Sequence, residues 1–412
     1  AILASLANGK SKAYNLLKSE DVTSVLNCLK KLGVNIKINK NYCEIIGGGL
    51  NGFVYKKNLI LNAGNSGTAA RLLCGTLINS NKLIKITGDT SLKKRDMRRI
   101  TDPLEKFGAS FKKKKDTLPI YIKGSENLKP INYKEFRGSA QCKSAVMLAS
   151  LLVKGWTKLK CAKSRTHTEL LFKYLKIPIK IKKNKRFDFI KVKGGKEISS
   201  FNYKIPGDIS SAAFPIVLTL LSNKSEIIIK NVNVNYTRTG IVSILNIMGA
   251  KIVIRNKRIY KGEEMGDIFV KGNKKLKGIK CKKEFNSRAI DEMLLIFLTA
   301  AVSKGISTFQ GLEELNKKES KRLDWGYKIL KMIGVKVKKI SNHGIKIYGN
   351  PNLKLTKKYE IKNYLKDHRI YMLSVVAALT LGGSWKIHDP DSIKTSFPTF
   401  NKMINDLGVK IL

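Results

Sequence analysis

One pattern recurs six times along this chain: an amphipathic helix closes on a hinge residue and runs directly into a short strand of alternating polar and apolar residues. The copies read LNCLKKLGVNIKI, TDPLEKFGASFKK, LLFKYLKIPIKIK, SILNIMGAKIVIR, YKILKMIGVKVKK and NKMINDLGVKIL. Their hinges are Gly33, Gly108, Ile177, Gly249, Gly334 and Gly408, spaced by 75, 69, 72, 85 and 74 residues. Self-similarity at a near-constant period marks a fold assembled from one supersecondary unit, and six copies fill the chain. Glycine after a helix adopts the left-handed C-cap conformation, and the period-two pattern that follows is a strand with one buried face. In the third copy Pro178 is expected to stop the helix instead.

A second helix alternates with the first and is apolar on most faces, which marks it as buried. It reads TAARLLCGTLI, KSAVMLASLL, SSAAFPIVLTLL, IDEMLLIFLTAA and HRIYMLSVVAALTL, with AILASLA as the stub of the first. Two groups of three units predict two similar α/β domains, 1–204 and 205–412, with a ligand site expected between them. Each later buried helix follows a polar loop (LNAGNSG, FRGSAQ, IPGDI, NSR, LKDH), and AILASLA has none. The period therefore places roughly fifteen to twenty residues, including a first strand, ahead of Ala1.

Composition narrows the function classes. The chain carries 80 Lys+Arg against 30 Asp+Glu, a formal charge of +50. Charge of that size attracts anions but says nothing about fold. The basic residues are 67 Lys and 13 Arg, and the Lys runs (112–115, 180–185, 336–339) are short and scattered. A nucleic-acid stripe would interleave clustered Arg and Lys with aromatics, so no specific nucleic-acid partner is expected. Six cysteines without paired spacing and four dispersed histidines argue against a disulfide framework and a zinc site, and suit a cytoplasmic protein. No apolar run reaches the length of a membrane span.

The scarce residues gather in the polar loops. Six Arg (Arg71, Arg95, Arg165, Arg238, Arg322 and Arg369) recur there in unit after unit, although Lys is used almost everywhere else. Bidentate recognition of phosphate or carboxylate requires that planar fork. Asn65-Ser66-Gly67-Thr68, Ser139-Ala140-Gln141 and Asp208-Ile209-Ser210-Ser211 each precede a buried helix, where backbone N–H groups and hydroxyls hold anions. Among the few acids, Asp291-Glu292 reads as a helix cap or as a carboxylate within a cationic cleft. Glu319, flanked by Lys318 and Arg322, reads as a salt bridge or as a proton-transfer group.

Ten motifs in order (NAGNSGTAAR, GDTSLKKRDMRR, GSAQCKSA, SRTHTE, PGDISSAAF, NYTRTG, IDE, KESKR, DHRIYM, TSFPTF) resemble those of the EPSP synthase (3-phosphoshikimate 1-carboxyvinyltransferase) family across essentially the whole chain. The resemblance implies an α/β fold of two similar domains, each of three βαβαββ units in an inside-out barrel-like arrangement, with the N-terminal strand missing here. It implies transfer of the enolpyruvyl group of phosphoenolpyruvate to the 5-hydroxyl of shikimate 3-phosphate, with no metal or other cofactor, in a monomer. The 1–204 domain would serve shikimate 3-phosphate and the 205–412 domain phosphoenolpyruvate.

By the resemblance, Ser139, Ala140, Gln141, Arg165, Asp291 and Lys318 would hold shikimate 3-phosphate. Gly67, Arg95, Gln141, Arg322 and Arg369 would hold phosphoenolpyruvate, with Asn65, Thr68, Lys143, Ser164 and His368 in support. Asp291 would meet the substrate hydroxyl, and Glu319 would shuttle a proton to the enol carbon. Gly67 would leave room for glyphosate. Thr166 stands where the family usually has Asp, Lys321 where it has an acid, and Thr395 falls at a substrate-binding Lys position with Lys394 just before it. The family's first loop carries a Lys-Ser pair and an Arg that would precede Ala1, so this chain by itself is expected to be poorly active. Two other readings compete. A UDP-sugar enolpyruvyl transferase would usually carry a reactive Cys in the GDTSLKKRDMRR loop, which has none. An inactive homologue that binds polyanions would show steeply salt-dependent affinity.

Overall fold

In a computed structural model, which describes residues 1–273 and 275–408, the repeat appears as a sheet motif. The chain divides into two units, Ala1–Ile205 and Pro206–Leu412. In the first, three four-stranded sheets share one topology: a parallel edge pair followed by two antiparallel neighbours. One sheet orders Ile60–Asn62, Ile84–Thr87, Ile120–Lys123 and Ser110–Lys113, the first pair parallel. Another orders Asn132–Glu135, Gly155–Ala162, Phe187–Gly194 and Ile179–Lys183 in the same way. In the third, Asn202–Lys204 returns from the end of the unit to pair in parallel with Asn8–Tyr14, Lys12 opposite Asn202.

The second unit repeats the motif in reduced form. Glu226–Asn233, Glu263–Lys271 and Lys251–Tyr260 form one three-stranded sheet, and Gly305–Phe309, Ile345–Gly349 and Val337–Lys339 another. The parallel edge partners survive there as isolated bridges, Gly207 to Val232 on one sheet and Lys277 to Lys304 and Lys280 to Thr308 on the other. Leu355–Ile361 pairs in parallel with Gly382–Ile387. The strand expected after Gly408 lies outside the described residues.

Each unit encloses its own apolar core, made by the second class of helix. These are Gly67–Thr76 and Ala140–Leu151 in the first unit, and Ile209–Leu221, Met293–Ala301 and His368–Leu381 in the second. Four of the five carry a side-chain N-cap: Ser66 accepts from the Ala69 amide, Ser139 from Cys142, Asp208 from Ser210 and Asp367 from Arg369. These caps hold the polar loops at helix starts, where orphan N–H groups need acceptors. The hinge glycines 33, 108, 249, 334 and 408 have φ between 82° and 115°, where a side chain would be strained. In the third copy the left-handed residue is Lys176 at φ 55°, one position before the expected Ile177. Among the described residues no helix is long and apolar enough to cross a membrane.

Candidate functional site

In the second unit the structure builds a charge cluster around Arg322, the first residue of the helix Arg322–Met332. Its side chain is 2% exposed. Asp367 accepts from Arg322 Nε at 2.8 Å and Nη2 at 3.0 Å. Glu319 accepts from Nη2 at 2.5 Å, and Asp291 accepts from Nη1 at 3.3 Å. Lys318 Nζ lies 3.0 Å from the same Asp291 oxygen. Arg369 donates through Nη1 to the Asp291 carbonyl at 3.0 Å. Asp291, Lys318, Glu319, Arg322 and Arg369, expected from the sequence to serve one chemistry, are therefore linked to one another directly.

Asp367 organises this cluster. Fully buried, it also accepts from the Ser320 amide at 3.2 Å, the Ser320 hydroxyl at 2.8 Å and the Arg369 amide at 3.0 Å. One carboxylate thus fixes the side chain of Arg322 and the backbone of Arg369. Burial pushes the Asp367 carboxyl up, and the Arg322 guanidinium more than offsets it, so the group ends below the usual carboxylate range. His368 is also buried, and desolvation lowers its pKa to about 4, so it is a neutral imidazole near pH 7. Its Nδ1 lies 3.1 Å from Thr395 Oγ1. Lys394, by contrast, is half exposed and pairs with Asp391 at 2.7 Å.

The helix-cap reading of Asp291-Glu292 is not what the chain does. The helix starts at Met293, and Glu292 at its N-cap position makes no side-chain cap bond. Instead Glu292, 1% exposed, accepts from the Ser210 hydroxyl and lies 3.8 Å from Arg369 Nη1. Arg238 Nη2 donates to Ser210 at 2.8 Å and to Asp208 at 2.7 Å. Burial raises the Glu292 pKa, only partly countered by Arg369. The cap failed as an expectation because its competitor, a hydroxyl 82 residues away in sequence, lies in another repeat.

In the first unit the second and third repeats meet at Gln141. Its amide nitrogen donates to Thr68 Oγ1 at 2.7 Å, and its carbonyl accepts from Arg71 Nη1 at 2.5 Å. Asn65 donates to Asp89 at 2.6 Å, an acid within the GDTSL segment whose role the sequence did not disclose. A Cβ at Gly67 would stand 2.8 Å from Arg95 Nη1 and 3.2 Å from Arg71 Nη1, so glycine keeps two guanidinium groups close to a helix start. Three of the six arginines, Arg71, Arg322 and Arg369, thus stand on the helices themselves rather than in the preceding loops.

The Ser139 turn is held from below by Glu135, which accepts from the Arg137 and Ser139 amides at 3.0 Å each. Ser139 and Ala140 are partly exposed at the start of their helix. Ser164 is buried, and Arg165 beside it is partly exposed. Lys143, expected as a supporting neighbour, has a side chain 0% exposed that donates to Glu169 and to the Arg165 carbonyl. Burial also pushes the Cys74 thiol up to about 12 and raises that of Cys142, so neither is a nucleophilic thiolate. A cavity of about 500 Å³ lined by Asn316, Lys321, Tyr327, Lys339 and His343, among others, contains none of the expected site residues.

Comparison with known proteins bears on this arrangement. The family model described as EPSP synthase (3-phosphoshikimate 1-carboxyvinyltransferase) matches residues 1–404. The 3-phosphoshikimate 1-carboxyvinyltransferase of Ruthia magnifica is 39% identical over 412 residues, covering 100% of this chain and 92% of the relative. The solved EPSP synthase of Acinetobacter baumannii is 34% identical with a TM-score of 0.84, covering 98% of this chain and 91% of that one. The enolpyruvyl transferase NikO of Streptomyces tendae shares the fold at 12% identity and a TM-score of 0.76.

Proposed function

The chain belongs to the EPSP synthase family, and from that premise we propose how its clustered side chains carry out the family's reaction. The reaction transfers the enolpyruvyl group of phosphoenolpyruvate to the 5-hydroxyl of shikimate 3-phosphate and releases phosphate, in the shikimate pathway of aromatic amino acid biosynthesis. In the addition step the 5-oxygen bonds to C2 of phosphoenolpyruvate while C3 gains a proton. In the elimination step C3 loses a proton and the C2–O bond to phosphate breaks. Both steps need a proton donor and acceptor on opposite partners, within a field that tolerates several anionic groups.

The observation that carries the assignment of roles is the linkage of two carboxylates, Asp291 and Glu319, through the buried Arg322 guanidinium. Asp291, also held by Lys318 and by Arg369 through its carbonyl, is assigned to the 5-hydroxyl proton. Glu319 is assigned to C3. Arg322 directs four of its five N–H donors at three carboxylates, so a phosphoenolpyruvate drawn to this guanidinium competes with them, and a carboxylate that loses Arg322 takes up a proton more readily. That exchange supplies a physical route for delivering a proton as the donor substrate binds. Asp367 keeps Arg322 in place throughout.

In the first unit, Ser139, Ala140, Gln141 and Arg165 are assigned to shikimate 3-phosphate, supported by Ser164. Gly67 and Arg95 are assigned to phosphoenolpyruvate with Arg322 and Arg369, while Asn65 and Thr68 shape the loop and His368 serves as a neutral neighbour. Glyphosate is expected to compete with phosphoenolpyruvate beside Gly67. Free thiols at all six cysteines support a cytoplasmic location. A monomer is expected, and sedimentation equilibrium would test it. For the residue roles, Asp291→Asn and Glu319→Gln should each lower kcat at least a hundredfold, and Arg165→Ala should raise KM for shikimate 3-phosphate. Near-normal kcat in both carboxylate variants would overturn the assignment.

A further inference from the structure

Near its start the helix Ala140–Leu151 makes two contacts with the helix His167–Tyr174 and one with the residues just before it. Lys143 Nζ donates to Glu169 Oε1 at 2.5 Å and to the Arg165 carbonyl at 2.7 Å, and the Ser144 and Thr168 hydroxyls meet at 2.7 Å. The Lys143 and Glu169 side chains are 0% and 3% exposed. The segment between the helices is anchored on its other side, where Lys163 Nζ reaches Asp188 at 2.5 Å. Arg165 therefore leaves a backbone that ion pairs hold from both directions.

Stability alone does not account for such a pair. A cation near the start of one helix opposes its dipole, and Glu169 in the first turn of the other does no more than offset that, so the dipoles give the pair no net gain. Removing both charges from water costs more than packing apolar side chains of similar volume would. The second Glu169 oxygen is buried without a hydrogen-bond partner, so the carboxylate is not there for its full bonding capacity. What the ion pair achieves and a leucine cannot is to direct one Lys N–H at one backbone carbonyl, that of Arg165.

We propose that Glu169 is a positioning residue. Together with Lys143 it fixes the Arg165 carbonyl and so sets the origin and direction of the Arg165 side chain toward shikimate 3-phosphate. This rests on the assignment of Arg165 to that substrate. Lys143 thus acts through Arg165 and not on the ligand.

The test exchanges the pair for apolar residues of similar size, Lys143→Met with Glu169→Leu, in the wild type and in an Arg165→Ala background. Glu169→Gln serves as a milder second variant, and circular dichroism verifies each fold. Shikimate 3-phosphate affinity is read by titration calorimetry, and KM for phosphoenolpyruvate by steady-state kinetics. Misplacing a substrate-orienting group costs on the order of tenfold or more. The apolar exchange should therefore weaken shikimate 3-phosphate binding by about tenfold, with Glu169→Gln intermediate and KM for phosphoenolpyruvate unchanged. In the Arg165→Ala background the same exchange should change affinity less than about twofold, because the two effects share one route. Unchanged affinity in Glu169→Gln and in the apolar exchange, or an equal loss without Arg165, overturns the positioning role. Absence of shikimate 3-phosphate binding by the wild type overturns the functional assignment beneath it.

Discussion

Replacing Asp367 by Asn removes one charge and almost no volume, and it tests whether that carboxylate assembles the charge cluster. Asp367 accepts five hydrogen bonds, three of them on Oδ2, from Arg322 Nε, the Ser320 amide and the Ser320 hydroxyl. An amide nitrogen at either position would face donors that need an acceptor. Arg322, 2% exposed, would be left with Asp291 and Glu319 alone. Breaking a buried ion pair from one side costs about 3–5 kcal/mol, because the surviving charge loses compensation without regaining water. The separate hydrogen-bond losses belong to the same figure and are not added to it.

Urea unfolding, followed by a probe in the second unit, reads that loss. Steady-state kinetics should show KM for phosphoenolpyruvate raised at least tenfold, since the carboxylate also holds the Arg369 amide. The pH dependence supplies a second signature. A carboxyl whose folded pKa is depressed stabilises above its unfolded pKa, and that contribution disappears as pH falls through the folded value. Wild type should therefore lose stability below about pH 4 by a component that Asp367→Asn lacks. A loss under about 1 kcal/mol with unchanged KM, the size expected of an exposed surface pair, would mean that Asp367 does not assemble the cluster.

Other perturbations follow from the same geometry. Gly67→Ala should leave stability unchanged or raise it slightly, since alanine suits a helix start, yet raise KM for phosphoenolpyruvate about tenfold because its methyl crowds Arg95 and Arg71; an unchanged KM would remove Gly67 from the anion site. Glu292→Gln keeps the shape and the acceptor for Ser210 while relieving a buried charge. The Glu292 pKa is raised by burial, so its stabilising share is present below the unfolded value and lost as pH rises. The variant should accordingly gain on wild type as pH climbs from 4 to 8, and thermal melts across that range check the sign. His368 has a folded pKa of about 4, so its contribution is full above the unfolded pKa of roughly 6.5 and is lost as pH falls toward 4. That is worth on the order of 3 kcal/mol between pH 6.5 and 4, and His368→Gln should flatten the slope.

Much of the fold was legible because a helix hinge leaves a sequence mark. A glycine at positive φ followed by a period-two strand is visible at Gly33, Gly108, Gly249 and Gly334, and the sheets stand where those marks predict. The mark fails where another residue takes the left-handed conformation, as Lys176 does. Acid scarcity singled out Asp291 and Glu319 as candidates, and the structure links both to Arg322. Sequence could not show which way a side chain faces or what it meets across repeats. Lys143 turns into the core toward Glu169, Glu292 bonds Ser210 from another repeat, and Asp367 gathers Ser320 and Arg322 from 45 to 47 residues away. Such partners are fixed by packing between helices of one unit, as for Lys143, or of different units, as for Glu292 and Asp367, which no local pattern encodes.

Phosphorus NMR of the purified protein with shikimate 3-phosphate and phosphoenolpyruvate together, and with each alone, follows the proposed transfer itself. Inorganic phosphate and 5-enolpyruvylshikimate 3-phosphate should form in equal amounts when both substrates are present, not at all with either alone, and at least a hundredfold more slowly in Asp291→Asn. Phosphate from phosphoenolpyruvate alone, or no product from a folded protein given both substrates, would contradict that transfer.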